Sequence, residues 1–216
     1  MLKKLARPKT PKLTIGPLTH DEIKRILAPV NTRTMYGARN YAIILVFLDT
    51  GLRCSELCNL TLEDVHLGGK SCYVKVMVKG QKKRLLYLGH RAHEAMLQYL
   101  TFVRPHYAKS EVVRNFFVNM YGKSLSVHSV QLMMFKLGQA VGVPRLHPHL
   151  LRHTSATQYL VNGGDVISLQ RKLGHAGLEM TSRYVHFAAQ ELAAIQERVA
   201  PMDRLDVGPM KVPRAG

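Results

Sequence analysis

Acidic side chains are scarce in this sequence and missing altogether from two long stretches. No Asp or Glu occurs from Val65 to His93, where seven Lys and Arg fall, and none from Val112 to Gly164. The whole chain carries 31 Lys and Arg against 14 Asp and Glu, a net charge of +17 with a pI near 10.1. Protein surfaces ordinarily mix both signs, so two acid-free segments point to a polyanionic partner, nucleic acid first among them. For either stretch alone, a solvated basic face is the plainer alternative. Also missing is any apolar run of about 18 residues, and any basic segment leading into a short apolar one. That excludes a bilayer-spanning helix and a secretory leader, and the expectation is a soluble, cytoplasmic chain with no membrane partner. Cysteine is limited to three residues, an odd number without a C-x-x-C pair, which excludes a disulfide framework and argues against a zinc site. Cys54 and Cys58, one helical turn apart, and Cys72 read as small half-buried hydrophobes.

What is present is mainly helical. Residues 1–17, MLKKLARPKTPKLTIGP, hold five cations, three prolines and no acid, and read as a basic linker or arm. A helix opens at Thr19, with Glu22 three residues on as in a capping box, and runs to Ala28. YGARNYAIILVFLDTG (36–51) is an apolar helix stopped by Gly51, and a short helix follows from Ser55. From Val65 the pattern turns to strands: SCYVKVMV and KKRLLYLG are β-rich runs joined by KGQK as a hairpin. Helical spacing returns over 90–107, and FFVN is a short extended piece. Helices are expected at 126–141, 148–162, 165–173, 177–186 and 188–199. The last residues, 200–216, form a flexible tail. The fold class is therefore mainly α with a small antiparallel β-sheet (α+β), one domain over 18–199, with no internal repeat.

The stretch HPHLLRHTSAT (147–157) concentrates chemistry. On a helix beginning near Pro148, His149 and Arg152 share a face. A metal reading would need a carboxylate near His149 and His153; Leu150 and Leu151 stand between them instead, beside an arginine that would repel a cation. A phosphate reading fits the residue types, because guanidinium is a planar two-pronged donor for non-bridging oxygens and imidazole transfers protons. Other segments supply partners for it. TGLRCSEL puts Arg53 after a Gly-ended helix, and VKGQKKR puts Lys79 at the hairpin tip. LGHAGLEMTSRYVH sets His175 after Gly174, with Tyr184 nine residues on. This set has no carboxylates to hold magnesium and no Gly-rich nucleotide loop. It suits phosphoryl transfer at a diester by electrostatic stabilisation and a side-chain nucleophile.

Each member has a plainer reading. Arg53 could neutralise helix-end carbonyls with Glu56 as its local partner, and Tyr184 could be a core aromatic. Lys79 sits among Lys82, Lys83 and Arg84, which are assigned to backbone phosphate contacts. His147 and His153 are expected to be structural or solvent-facing.

In combination and order, T-G-L-R-x-S-E-L, V-K-G, H-x-L-R-H-T and L-G-H followed by tyrosine resemble the tyrosine recombinase (phage integrase) family, Xer-type members included. The likeness runs from about Thr19 to Val185. It implies the tyrosine recombinase catalytic-domain fold and metal-independent, site-specific cleavage and rejoining of double-stranded DNA through a 3′-phosphotyrosyl intermediate. Under it Tyr184 is the nucleophile and His149 the base. Arg53 and Arg152 clamp the phosphate, Lys79 protonates the leaving 5′ oxygen, and His175 hydrogen-bonds the phosphate. No metal or nucleotide cofactor is implied. Relatives act as tetramers on paired sites with exchanged C-terminal segments, whereas an isolated domain could be a monomer; the place of action is the nucleoid. A type IB topoisomerase-like enzyme and a non-catalytic DNA-binding protein of the same fold are the rivals. Leu150 stands where relatives often have an acid, and Glu179 and Met180 replace small polar residues. Relatives usually carry a preceding core-binding domain of roughly a hundred residues, so the chain is expected to be a catalytic-domain fragment.

Overall fold

The structure, a computed structural model, describes residues 16–69, 71–77, 83–108, 113–174 and 179–199. The first helix, α1 (His20–Leu27), begins as its sequence predicts. Thr19 Oγ1 accepts from the Glu22 N–H at 3.2 Å, and the Glu22 carboxylate accepts from the Thr19 N–H at 2.9 Å. α2 (Met35–Thr50) has Ala42, Ile43, Ile44, Val46 and Phe47 fully buried, because consecutive apolar residues around a helix require cover on several sides. Gly51 ends it in the left-handed region, at φ 67°. The short α3 (Cys54–Asn59) follows directly.

Three antiparallel strands, β1 (Val65–His66), β2 (Tyr73–Met77) and β3 (Lys83–Tyr87), form a sheet in the order β1-β2-β3. Met77 pairs with Lys83 at the end of the β2–β3 ladder; the residues of the expected turn, 78–82, Lys79 and Lys82 included, lie outside the described set. Alternation in β3 turns Arg84 and Leu86 inward and Lys83, Leu85 and Tyr87 outward. α4 (His90–Gln98) continues through a π-helical turn at Tyr99–Val103 into α5 (Arg104–Tyr107), filling the helical stretch expected over 90–107. The expected extended piece FFVN (116–119) joins no strand of the sheet; a single bridge from Thr61 to Asn115 precedes it, and a second pairs its own Val118 with Ser124.

The helices α6 (Val127–Ala140), α7 (Pro148–Val161), α8 (Val166–Leu173) and α9 (Glu179–Val199) complete the described chain. The break expected between 177–186 and 188–199 does not exist: α9 runs unbroken from Glu179 to Val199. HFAAQELAAIQ contains neither Gly nor Pro, and its alanines, leucine and long polar residues favour helix throughout. The basic arm and the C-terminal tail lie outside the described residues, apart from Gly16 and Pro17. These are fastened by Arg145, whose Nη1 donates to the Gly16 carbonyl at 2.8 Å, while the Leu18 N–H donates to Thr154 Oγ1 at 2.9 Å.

The main core gathers Phe47, Tyr99, Phe116, Phe117, Leu150 and Leu151 among α2, α4, the sheet, α6 and α7. A second, small cluster of Ala156, Leu169, Leu173 and Tyr184 joins α7, α8 and α9. α7 belongs to both, so its first turns are gripped on nearly every side, and Leu150 through Thr157 are all buried. The three cysteines are free, Cys58 buried and Cys54 and Cys72 half-buried, as their spacing suggested.

Candidate active site

Arg152 is the anchor. A guanidinium that is 2% exposed needs acceptors, because an unpaired buried charge is strongly disfavoured. Two helix ends provide them: Nη1 donates to the Gly51 carbonyl just past α2, and Nη2 donates to the Leu173 carbonyl at the end of α8, at 2.8 Å. The last carbonyls of a helix lack intrahelical donors and carry partial negative charge, so both ends suit a cation. Both helices stop at a left-handed glycine, Gly51 at φ 67° and Gly174 at φ 65°. The glycines of the T-G-L-R and L-G-H motifs thus aim carbonyls at one arginine.

Arg53 precedes α3 and shares a surface cleft of about 330 Å³ with Cys54, His147, His149, Arg152, Val127 and Gln131. Glu56 holds it twice: the carboxylate accepts the Arg53 N–H at 2.7 Å and Nη1 at 3.0 Å. The arginine side chain nevertheless remains 43% exposed, so much of it faces the cleft. His149 is exposed on the first turn of α7, with the His147 ring 6.4 Å away. Partial desolvation, reinforced by Arg152, His147, Arg183 and Arg53, holds the His149 imidazole below its ordinary 6.5. It is therefore neutral near pH 7 and able to accept a proton. Burial, then Arg53 and Arg84, push the Arg152 guanidinium down to about 10 against the opposing pull of Glu56 and Tyr184, so it stays charged at neutral pH.

Tyr184 lies on the second turn of α9 and is 5% exposed. It packs against Ala156, Leu169 and Leu173, with its ring centroid 5.2 Å from that of His153, and is near enough to act on the charge of Arg152. The sequence motifs thus bring Arg53, His149, Arg152 and Tyr184 into one neighbourhood. Lys79, His175 and Lys82 fall outside the described residues. Lys83 is exposed beside Asp64, at 3.9 Å.

Arg84 departs from the expectation of a phosphate-touching cation. It faces inward, its side chain is 8% exposed, and Nη2 donates to Glu56 at 2.8 Å. Strand alternation explains the difference: in KRLLY, Arg84 shares a face with the core residue Leu86. The alternation is legible in the sequence itself, behind the run of three adjacent cations Lys82, Lys83 and Arg84. His147, expected to be structural or solvent-facing, lines the cleft, and Arg183 bears on His149. Neither had a sequence signal beyond its neighbourhood. Among the described residues, no group of three or more His, Cys, Asp or Glu side chains is placed to hold a metal.

Comparisons with known proteins give the family. The sequence profile of the phage integrase family matches residues 17–191. Tyrosine recombinase XerD of Halalkalibacterium halodurans is 34% identical over 195 residues, covering 90% of this chain and 64% of that protein. Its namesake from Staphylococcus aureus is 32% identical over 198 residues, covering 91% and 66%. The crystal structure of XerA recombinase superposes with a TM-score of 0.73 at 30% identity, covering 87% of this chain and 66% of that one. A XerH site-specific recombinase, bound to palindromic difH substrate in a post-cleavage complex, gives 0.70 at 26% identity, covering 88% and 54%. The chain thus spans just under two thirds of the length of the curated relatives, 64% and 66%.

Proposed function

From the premise that this chain belongs to the phage integrase family, we propose that it is the catalytic part of a site-specific DNA recombinase, which cleaves and rejoins duplex DNA through Tyr184. The hydroxyl oxygen of Tyr184 attacks the scissile phosphorus; a P–O bond to tyrosine forms as the P–O5′ bond breaks. The phenol gives up its proton to His149, which is neutral at working pH. The departing 5′ oxygen takes a proton from Lys79. Arg53 and Arg152 hold the non-bridging oxygens and neutralise the charge that develops on them, and His175 donates to the same phosphate. A 3′-phosphotyrosyl link keeps the diester's bond energy, so a 5′ hydroxyl of another strand reverses the step on a new partner. Lys82 and Lys83 touch the flanking backbone. None of these steps requires a metal or a nucleotide.

The observation that carries this reading is the meeting of Arg53, His149 and Arg152 in one open cleft, with Tyr184 on the helix beside it. Tyr184 is nearly enclosed, so its delivery to a phosphate calls for a shift of the first turns of α9 against α7 and α8. The active assembly on paired sites is a tetramer, and the chain alone is a monomer that binds one duplex. Its place of work is the nucleoid.

The test is covalent trapping on a pool of nicked duplexes in EDTA, resolved on a denaturing gel. The nick lets the short strand bearing the 5′ hydroxyl diffuse away, so the adduct accumulates. A protein–DNA band for the wild type that is lost in Tyr184→Phe is the expected result. An undiminished band in Tyr184→Phe would assign the nucleophile elsewhere. No band from a protein that still shifts duplex DNA would favour a binding protein of the same fold.

A further inference from the structure

Arg84 is left unexplained by the reaction as written. Its side chain is 8% exposed and uses only one edge of its guanidinium, Nη2, on Glu56. Its Nε and Nη1 are buried with no hydrogen-bond partner among the described residues. A cation this deep with two idle donors is costly unless something engages them. The idle edge lies against Gly174: a Cβ built on that glycine would fall 2.7 Å from Arg84 Nη1. Gly174 is the last described residue before His175, and α9 with Tyr184 begins at Glu179.

The used edge matters equally. Glu56 is shared between Arg84 and Arg53, through Oε2 to Arg84 at 2.8 Å and Oε1 to Arg53 at 3.0 Å. Held from below by Arg84, the carboxylate presents a fixed edge to Arg53. Without Arg84, its whole charge would draw Arg53 inward, away from the cleft.

We infer that Arg84 is a positioning residue of the cleavage centre. One edge sets Glu56, and through it Arg53, while the other backs Gly174, next to the Leu173 carbonyl that binds Arg152, so that both arginines of the phosphate clamp are steadied by one guanidinium. This rests on the cleavage reading given above. It explains why arginine stands there: a planar fork serves two directions at once, whereas an ammonium has only a single point from which to reach. It also explains why residue 174 is glycine, since any side chain would occupy the space against the fork. The plainer alternative, a structural ion pair that merely holds β3 to α3, leaves Nε and Nη1 without a purpose.

The two differ in what Arg84→Lys does. The ammonium still pairs with Glu56, so the fold is kept, and duplex affinity by mobility shift stays within about two-fold because Arg84 touches no phosphate. Single-turnover adduct formation on the nicked-duplex pool, at saturating DNA and per folded molecule, falls about 10- to 100-fold, the scale of a small misplacement of catalytic groups. The loss sits in the rate at saturation, with the DNA concentration for half-saturation unchanged. Wild-type rates in Arg84→Lys would overturn the inference, as would a loss confined to DNA affinity, which would make Arg84 a phosphate contact. If Arg84→Lys folds poorly, Arg84→Gln, which keeps a neutral hydrogen-bond donor for Glu56 and leaves the Glu56–Arg53 pair in place, is the second variant. The same slow adduct formation is expected of it, and a wild-type rate per folded molecule counts against the inference equally. A wild type that forms no adduct sinks the cleavage reading and this inference with it; a wild-type adduct beside unaffected variants sinks only the inference.

Discussion

Two glycines and one arginine set the centre of this molecule. Gly51 and Gly174 adopt left-handed backbone, which lets α2 and α8 end abruptly and turn their carbonyls to Arg152. A non-glycine residue in that conformation costs about 1–2 kcal/mol. At position 51 an added Cβ would also lie 3.1 Å from Leu173 Cδ2, in the cluster that holds Tyr184. Gly51→Ala is therefore expected to lower unfolding stability by about 1–2 kcal/mol, read from the shift of the urea midpoint at constant slope. His149 gives a second prediction at this scale. Partial burial, reinforced by Arg152, His147, Arg183 and Arg53, makes its imidazole titrate below 6.5 in the free protein, measurable from its ring proton shifts by NMR. Between that midpoint and 6.5 the unfolded chain binds more protons than the folded one, so this group costs stability as pH falls through the window. A midpoint above 6.5 in the free protein would mean that the cations of the cleft do not act on His149 as described.

At the scale of elements, the segment leading into α1 is locked to α7 and the turn before it. Arg145, in the turn before α7, binds the Glu22 carboxylate of α1 at 2.7 and 2.9 Å as well as the Gly16 carbonyl. Burial raises the Glu22 carboxyl, but the Thr19 N–H and Arg145 outweigh it, and the group lies below its ordinary 4.5. A depressed carboxyl contributes stability that is fully present above the unfolded value and is lost as pH falls through the folded one. Thermal unfolding should accordingly show a smaller acid-side loss below pH 4.5 in Glu22→Gln, which begins less stable at neutral pH, than in the wild type. Parallel curves would mean that the α1–Arg145 lock contributes nothing measurable. The same scale explains α9: with no breaker inside it, one rigid helix carries Tyr184 at its start and extends well past the α7–α8 cluster, so a shift of its first turns moves the whole rod.

For the whole molecule, a charge of +17 makes the duplex binding proposed above a salt-controlled property. If roughly six phosphates are neutralised, affinity should fall about 10³-fold between about 50 and 200 mM salt, with a log–log slope near −5. Mobility shifts or anisotropy across that range measure it, and a nearly flat dependence would remove the polyanion reading of the acid-free stretches. Lys83→Ala, on the outer face of the sheet, should reduce the slope by about one, whereas the buried Arg84 should leave it unchanged. No helix among the described residues is long and apolar enough to cross a membrane.

Most of the helices, the paired strands and the neighbourhood of Arg53, His149 and Arg152 were legible in the amino-acid sequence, because caps, left-handed glycines and apolar periodicity are local signals. Thr19 with Glu22, Gly51 and the pairing of His149 with Arg152 needed nothing beyond a few neighbouring residues. The helix break near residue 187 was misplaced because nothing local marks it, and an alanine-rich run simply continues. What only the tertiary structure decided concerns partners far apart in the chain. The carbonyls of Gly51 and Leu173 meet Arg152 only because α2 and α8 both end against α7. Glu56 is shared by Arg53 and Arg84 only because β3 lies beside α3. Tyr184 is enclosed by α7 and α8 rather than open to the cleft. Residue type sets which charges and protons are available, and long-range packing sets which of them face one another and which are buried.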